Sequence, residues 1–415
     1  MAEFLKYLNL LISVLILCFY SYQFVFVCIR LLKKMPEFRT QKMHKYAVVV
    51  PARNESKVIG DLLKSIHSQD YPKELLDIFV IADNCTDNTA EVARRYGAIV
   101  FERYDEEKIG KGYALEFAFK KIKEYYGIDH YEGYLVFDAD NILDANFVKE
   151  INKVFDAGYS VVTSYRNSKN YGYNWISAGY ALWFLRESKY LNGARMICRT
   201  SCTISGTGFL VSSEIIKKDG GWKYHLMTED IEFTVDKVLH GEVIGYCEKA
   251  ILYDEQPIDL KTSWNQRIRW TKGFYQIVQN YGMKLLRGCW SDKGFQCFDM
   301  LATVFPAILF LLVLLTINIL AVIYGLINFH YEVVVTALSE TCSIIYKVYL
   351  SLLFFGLITL ITEWKQIHCD RHKKILYLFP FPFFIFTYVP IAIAALAKKV
   401  TWVQIPHTFT EQVTR

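Results

Sequence analysis

The chain has 415 residues, of which 53% are hydrophobic and 16% aromatic, with a formal net charge of +5 and a mean hydropathy of +0.17. That length holds one sizeable α/β domain with extra elements, and so apolar a composition points to membrane residence rather than to a soluble enzyme. The positive charge gathers beside apolar runs, so no nucleic-acid partner is implied, and the ten cysteines contain no Cys-x-x-Cys pair that would argue for zinc.

Taken in chain order, residues 7–29 form an uncharged run of 23, enough for a helix to cross roughly 30 Å of hydrocarbon. A signal peptide fits less well, because the run exceeds the usual apolar core and no small-x-small cleavage site follows. Arg30, Lys33, Lys34, Arg39, Lys42 and Lys45 come next, a cluster of the kind retained on the cytoplasmic side. Residues 1–30 are therefore read as a transmembrane helix and 31–45 as a basic cytosolic linker.

From about 44 to 255 the periodicity alternates between strand and helix, the pattern of a parallel sheet with crossover helices. Strands are expected at 46–50, 77–82, 98–102 and 133–137. Val58, Ile59, Leu62, Leu63 and Ile66 recur at helical spacing, and Thr86 or Asp87 can cap a helix running to Gly97. Another helix is expected at 113–126, and Phe209-Leu210-Val211 reads as strand-like. Beyond the domain, apolar runs at 301–328, 348–362 and 375–397 give about three further membrane segments, the last broken by Pro380, Pro382 and Pro390. Trp364 to Lys374 reads as cytosolic, and Lys398 with Lys399 argues for a cytosolic end, which three full crossings would not give.

In open α/β sheets ligands bind at the carboxyl edges of the strands, and the suggestive polar residues stand there. Pro51, Asn54 and Glu55 follow the first strand, Asp83 the second, and Asp138 and Asp140 the fourth. Neither Gly-x-Gly-x-x-Gly nor a P-loop is present, which argues against nicotinamide and ATP enzymes. Two carboxylates two residues apart suit a hard divalent cation shared with substrate phosphates. Glu229 and Asp230 open a helix that Thr228 can cap; they either complement its dipole or supply a general base. Gln266, Arg269 and Trp270 fall on one helical turn, offering a guanidinium for diphosphate and a flat ring for a sugar. Alternatively that helix lies on the membrane, with Trp264, Ile268 and Trp270 toward lipid and Arg267, Arg269 and Lys272 toward headgroups. Lys111, between Gly110 and Gly112, either reaches phosphate or carboxylates or is a solvated turn residue, and Gly206 with Thr207 lies on a small-residue loop able to approach a ligand.

Together, Phe137-Asp138-Ala139-Asp140, Met227-Thr228-Glu229-Asp230 and Gln266-Arg267-Ile268-Arg269-Trp270 resemble the inverting, membrane-integrated family 2 glycosyltransferases that include cellulose, chitin, hyaluronan and poly-N-acetylglucosamine synthases. The resemblance covers about 46–273 and implies a GT-A, Rossmann-like α/β catalytic domain with a UDP-sugar donor and Mg2+ or Mn2+ as cofactor. By the same resemblance, Asp230 is the catalytic base and Asp138 and Asp140 hold the metal. Pro51, Asn54, Glu55, Asp83, Lys111, Asp138, Gln266, Arg269 and Trp270 meet the nucleotide sugar; Gly206, Thr207, Glu229 and Trp270 meet the acceptor. Ala82-Asp83-Asn84-Cys85 departs from the family's Asp-Asp-Gly-Ser, leaving the uracil contact to Asp83, and Gly206-Thr207-Gly208 is not the form seen in cellulose or hyaluronan synthases. The implied layout is a GT-A domain at 46–256, interfacial amphipathic helices at 257–298, a membrane region at 299–400 and a tail at 401–415. The expected activity is processive extension of a growing glycan from UDP-glucose or UDP-N-acetylglucosamine at the plasma membrane, by a multi-pass protein with a cytosolic catalytic domain. The alternative is transfer of one sugar to a lipid carrier or glycolipid. Accessory export subunits stay open as partners, since the sequence does not reveal whether they complete an export path.

Overall fold

The computed structural model describes residues 1–305 and 307–397, together with 400, 405 and 407; Lys398, Lys399 and most of the 401–415 tail lie outside the described residues. The segment from 46 to 254 is built on eight strands: β1 (Tyr46–Ala52), β2 (Leu76–Asp83), β3 (Ile99–Arg103), β4 (Gly133–Val136), β5 (Ile142–Leu143), β6 (Val161–Ser168), β7 (Phe209–Ser212) and β8 (Ile244–Asp254). They form one sheet in the order β3-β2-β1-β4-β7-β6-β8-β5. Tyr46 to Val50 are fully buried, as expected of a strand covered on both faces, where an unbroken apolar run is needed. Helix Ile59–His67 lays Ile59, Leu62, Leu63 and Ile66 into the same core.

The sheet is mixed, not parallel as the periodicity predicts. β1 runs parallel to β2 and β4, and β2 to β3, but β7 is antiparallel to both β4 and β6, and β5 to β8. The reason is local. β7 is entered from the 205–208 loop, which sits at the rim where β4 ends; Phe209 pairs with Val136, so the chain must run back down the sheet.

Among the described residues, three helices are long and apolar enough to cross a membrane: Ala2–Leu32, Leu309–Ile327 and Tyr331–Thr362, of 31, 19 and 32 residues. The run expected at 348–362 is the end of the last of these, which starts earlier and takes in Glu332, Glu340 and Lys347. The 375–397 run is not one helix: it divides into the end of Arg371–Leu376, then Phe381–Phe386 and Tyr388–Ala397, with Pro380 and Pro382 at the first break. Two long helices thus form a hairpin that returns the chain to the domain. There the Tyr165 hydroxyl donates to Glu363 at 2.6 Å, Asn167 Nδ2 to the Gln366 carbonyl at 2.8 Å, and the Tyr171 hydroxyl to the Lys374 carbonyl at 3.0 Å.

Domain and apolar helices are fastened by charge. Arg195 grips Asp299 through Nε and Nη2 at 2.7 and 2.8 Å, both side chains fully buried, and the Tyr22 hydroxyl donates to the same carboxylate at 3.0 Å. The remaining Arg195 donors meet Asn192, Thr203 and Thr303, so the buried charges are fully hydrogen-bonded. Within the apolar bundle, Asn9 and Asn318 exchange amide hydrogen bonds at 3.1 and 2.8 Å. Leu5, Val333 and Ala337 fill one level of its interior, and Leu311, Leu314 and Ile344 another. An Asn9→Leu replacement strands the Asn318 amide and is expected to weaken the bundle by about 1 kcal/mol in micelle unfolding, with Asn9→Leu/Asn318→Leu together recovering much of the loss.

Candidate active site

Two glycines aim Lys111. Gly110 adopts φ +138°, closed to side chains with a Cβ, and a Cβ on Gly112 would lie 2.2 Å from the Tyr224 carbonyl oxygen, so the helix Lys111–Tyr126 starts hard against that backbone. Lys111 is thereby thrown into the rim. Its ammonium forms an ion pair with Asp138 and donates to the Gly206 carbonyl at 2.7 Å, joining the end of β4 to the loop before β7. Burial opposes its charge, but the carboxylates of Asp138, Glu229 and Asp230 outweigh it and raise the Lys111 pKa above its ordinary value.

That loop is pinned at every residue. Arg166 of β6 donates from Nη1 to the Ser205 carbonyl at 2.8 Å, and from Nε to Asp254 at 2.6 Å. The Thr207 hydroxyl accepts the Asp138 amide at 2.9 Å and donates to Asn141 Oδ1 at 2.5 Å. Thr207 is therefore buried in the loop's own anchorage, not presented to an acceptor as the sequence suggests. Gly206 lies nearer the acids: a Cβ there would stand 3.7 Å from Asp230 Oδ2.

Glu229 and Asp230 open helix Glu229–Leu239. Thr228 does not cap it, because Gly273 lets the long helix Leu260–Gly288 press onto the Thr228 side chain, whose buried hydroxyl finds no partner. Glu229 is pushed up to about 7 by burial and by the charge of Asp230, with Lys111 and Arg269 pulling it back. Burial raises Asp230 as well, against its own helix-terminal amides and Lys111. Both groups respond to one field and titrate as a pair.

The acids at the ends of β1, β2 and β4 stand at the same rim. Asp140 is buried, its Oδ2 accepting the Glu255 amide at 3.0 Å; burial disfavours its charge, yet His407, Lys169 and that amide hold its pKa below the usual value. Asp83 is held by Arg103 at 2.5 Å and its pKa is raised by burial, which Arg103 and Arg53 oppose. The uracil contact expected of Asp83 alone thus has a guanidinium behind it. Asn54, at φ +55°, accepts the Thr86 amide at 2.7 Å through Oδ1 and so ties the loop after β1 to the loop after β2; Pro51 lies two residues past the last β1–β4 pair.

Sequence reasoning missed two residues. His407, in the tail, places Nδ1 3.0 to 3.1 Å from both Glu55 oxygens and Nε2 4.0 Å from Asp140. Its partners lie at least 267 positions away in the chain, and no local pattern marks it. Burial works against its charge, but Asp140 and Glu55 raise it to about 10. Arg166 had a faint signal, a cation inside an otherwise buried strand.

Gln266, Arg269 and Trp270 share the Leu260–Gly288 helix. Arg269 Nη1 donates to the Met227 carbonyl at 3.4 Å, next to Glu229, while the buried Gln266 Oε1 has no partner. Trp270 packs edge-on to Tyr180 and Phe184, centroids 5.7 and 6.0 Å away. The lipid-facing arrangement does not hold for Arg267, which is buried and donates to the Phe384 carbonyl and the Thr387 hydroxyl at 3.1 and 2.6 Å. Helices Phe381–Phe386 and Tyr388–Ala397 cover this face and take the place of headgroups.

A family model for glycosyltransferase like family 2 matches residues 44–273. The chain is 27% identical over 270 residues to the probable glycosyltransferase YdaM of Bacillus subtilis (strain 168), the match covering 60% of each. It is 23% identical over 265 residues to a beta-monoglucosyldiacylglycerol synthase of Synechocystis sp., covering 61% of this chain and 54% of that one. It is 26% identical over 257 residues to a poly-beta-1,6-N-acetyl-D-glucosamine synthase of Staphylococcus aureus (strain COL), covering 60% and 58%. The match therefore spans less than two thirds of each relative's own length. Among solved structures, the mannosyltransferase PcManGT of Pyrobaculum calidifontis, in complex with GDP-Man and Mn2+, aligns with a TM-score of 0.51 at 17% identity over 81% of this chain and 99% of that one. The fold is GT-A.

A base drawn from the Glu229 and Asp230 pair must be ionised to accept a proton, and burial raises both carboxyls, so kcat/KM should fall toward acid with a limb above the ordinary carboxylate range. Glu229→Gln removes the neighbouring negative charge and should move that acid limb to lower pH, read from the pH profile of turnover. A limb unmoved by Glu229→Gln would separate the two acids.

Proposed function

The chain belongs to glycosyltransferase-like family 2, and from this we propose that it is an inverting glycosyltransferase drawing on a UDP-sugar at a membrane surface. The observation that carries the reading is the single ammonium of Lys111, which sets the donor-side acid Asp138 beside the Gly206 loop facing Asp230. Asp83, steadied by Arg103, meets the uracil, with Pro51, Asn54 and Glu55 shaping the same pocket. Asp230 takes the proton from an acceptor hydroxyl. The acceptor oxygen bonds to the anomeric carbon as the bond from that carbon to the diphosphate oxygen breaks, and UDP leaves. Glu229 raises the basicity of Asp230, and Lys111 and Arg269 balance the charge of the departing diphosphate.

The donor set fits a hard cation. Asp138 and Asp140 offer carboxylate oxygen, while among the described residues no group of three or more His, Cys, Asp or Glu is placed to hold a metal ion by itself. That suits Mg2+ or Mn2+, which take one or two carboxylates and complete their shell with substrate phosphates. When bound, the cation neutralises charge on the leaving diphosphate.

Polymer extension from UDP-glucose or UDP-N-acetylglucosamine is supported by Gln266, Arg269 and Trp270 in their shared turn and by the poly-N-acetylglucosamine synthase among the relatives. A second reading, one sugar added to a glycolipid, is favoured by the packed interior of the three long apolar helices and by the glucosyldiacylglycerol synthase relative. In either case those helices anchor a multi-pass protein in the plasma membrane with its catalytic domain in the cytosol.

Asp230→Asn should lower UDP release by about 10²–10⁴-fold with donor binding kept. Near-normal turnover in that variant would refute the assignment of the base. Incubation with labelled UDP-sugars followed by product sizing separates the two acceptors: a ladder means polymerisation, a single added sugar in the lipid extract means the glycolipid enzyme.

A further inference from the structure

At the edge of the sheet opposite the active site, a cleft of about 620 Å³ opens below the N-terminal apolar helix. Lys34 and Phe38 of the basic linker form one wall, Tyr159 and Ser160 ahead of β6 another, and Arg199 with Glu242 the third. Its height relative to the membrane is set by the preceding residues. Helix Tyr22–Leu32 ends in Leu31 and Leu32, 53% and 85% exposed, and Lys33 and Lys34 follow at once. Bare leucines giving way to lysines mark the passage from hydrocarbon to headgroups.

The cleft carries uncompensated positive charge. Among the described residues no carboxylate lies within ion-pair distance of Lys33, Lys34 or Arg199, and the one acid in the lining, Glu242, is engaged by Lys218 at 3.1 Å. Arg199 carries a second, independent signal. It ends helix Gly193–Ile197 in a left-handed conformation at φ +56°, with its amide on the Met196 carbonyl at 3.2 Å and the Thr200 amide on the Arg195 carbonyl at 2.9 Å. These paired bonds define a helix ending that strongly prefers glycine, because a Cβ is strained there. An arginine held at that place against its backbone preference indicates that the guanidinium itself is used.

We propose that this cleft binds the phosphate of an anionic phospholipid, with Arg199 and Lys34 on the phosphodiester and the acyl chains along the exposed leucines of the helix above. Guanidinium suits a phosphodiester through its paired donors, and the cleft volume is that of a small-ligand site. The site is separate from catalysis and does not depend on the reading of the donor or acceptor.

The test uses the full-length chain in neutral detergent, titrated with short-chain phosphatidylglycerol, short-chain phosphatidylcholine or inorganic phosphate, with occupancy read by native mass spectrometry. Phosphatidylglycerol should bind wild type at least about tenfold more tightly than Arg199→Gly/Lys34→Ser, and phosphatidylcholine should show no such difference. Arg199→Gly alone should unfold at or above the wild-type temperature, since glycine relieves the left-handed residue. Equal phosphatidylglycerol affinity in wild type and double variant would overturn the proposal, as would displacement of the lipid by millimolar phosphate, which would make this a free-anion site. A lowered melting temperature in Arg199→Gly would overturn the reading of that arginine as a ligand group.

Discussion

The site depends on one buried ammonium. Lys111 stands among Asp138, Glu229 and Asp230, and without it three carboxylates would face one another in a place with little water. Two glycines on either side make its position possible, one through its dihedral angle and the other through contact with the Tyr224 backbone. Charge and geometry are therefore inseparable here. The same nitrogen that neutralises the acids fixes the Gly206 carbonyl and with it the loop that faces Asp230.

Around this centre, positively charged groups are placed behind acids and not in front of them. Arg103 backs Asp83, Arg166 backs Asp254 and the Ser205 carbonyl, and Arg195 locks Asp299 where the domain meets the N-terminal helix. Such buried pairs add little net stability over apolar packing, but each fixes an orientation that apolar contacts leave loose. The carboxylates at the rim are thus presented by a rigid scaffold.

Much of this was legible in the sequence, for reasons that can be named. The runs at β1, β2 and β4 are continuous and apolar, and a polar residue directly after a buried strand can only stand at the rim, so Glu55, Asp83, Asp138 and Asp140 were placed by position alone. The reversed direction of β7 was not legible, because four residues carry no sign of orientation. Arg267 was misjudged because an amphipathic pattern says which face is apolar but not what covers it; two short helices cover it here, more than a hundred residues further along. His407 was missed for the same reason on a larger scale, since its meaning comes from Glu55 and Asp140 and not from its neighbours.

The contact between His407 and Glu55 closes a loop of 352 positions. Both long C-terminal apolar helices lie within that loop, so the imidazole can reach the rim only once that hairpin has formed and has brought the chain back. Loops of this size close late. A ribosome-bound chain would hold a folded sheet and a formed Lys111 centre while still lacking that imidazole, and the completed site would report that the apolar helices are in place.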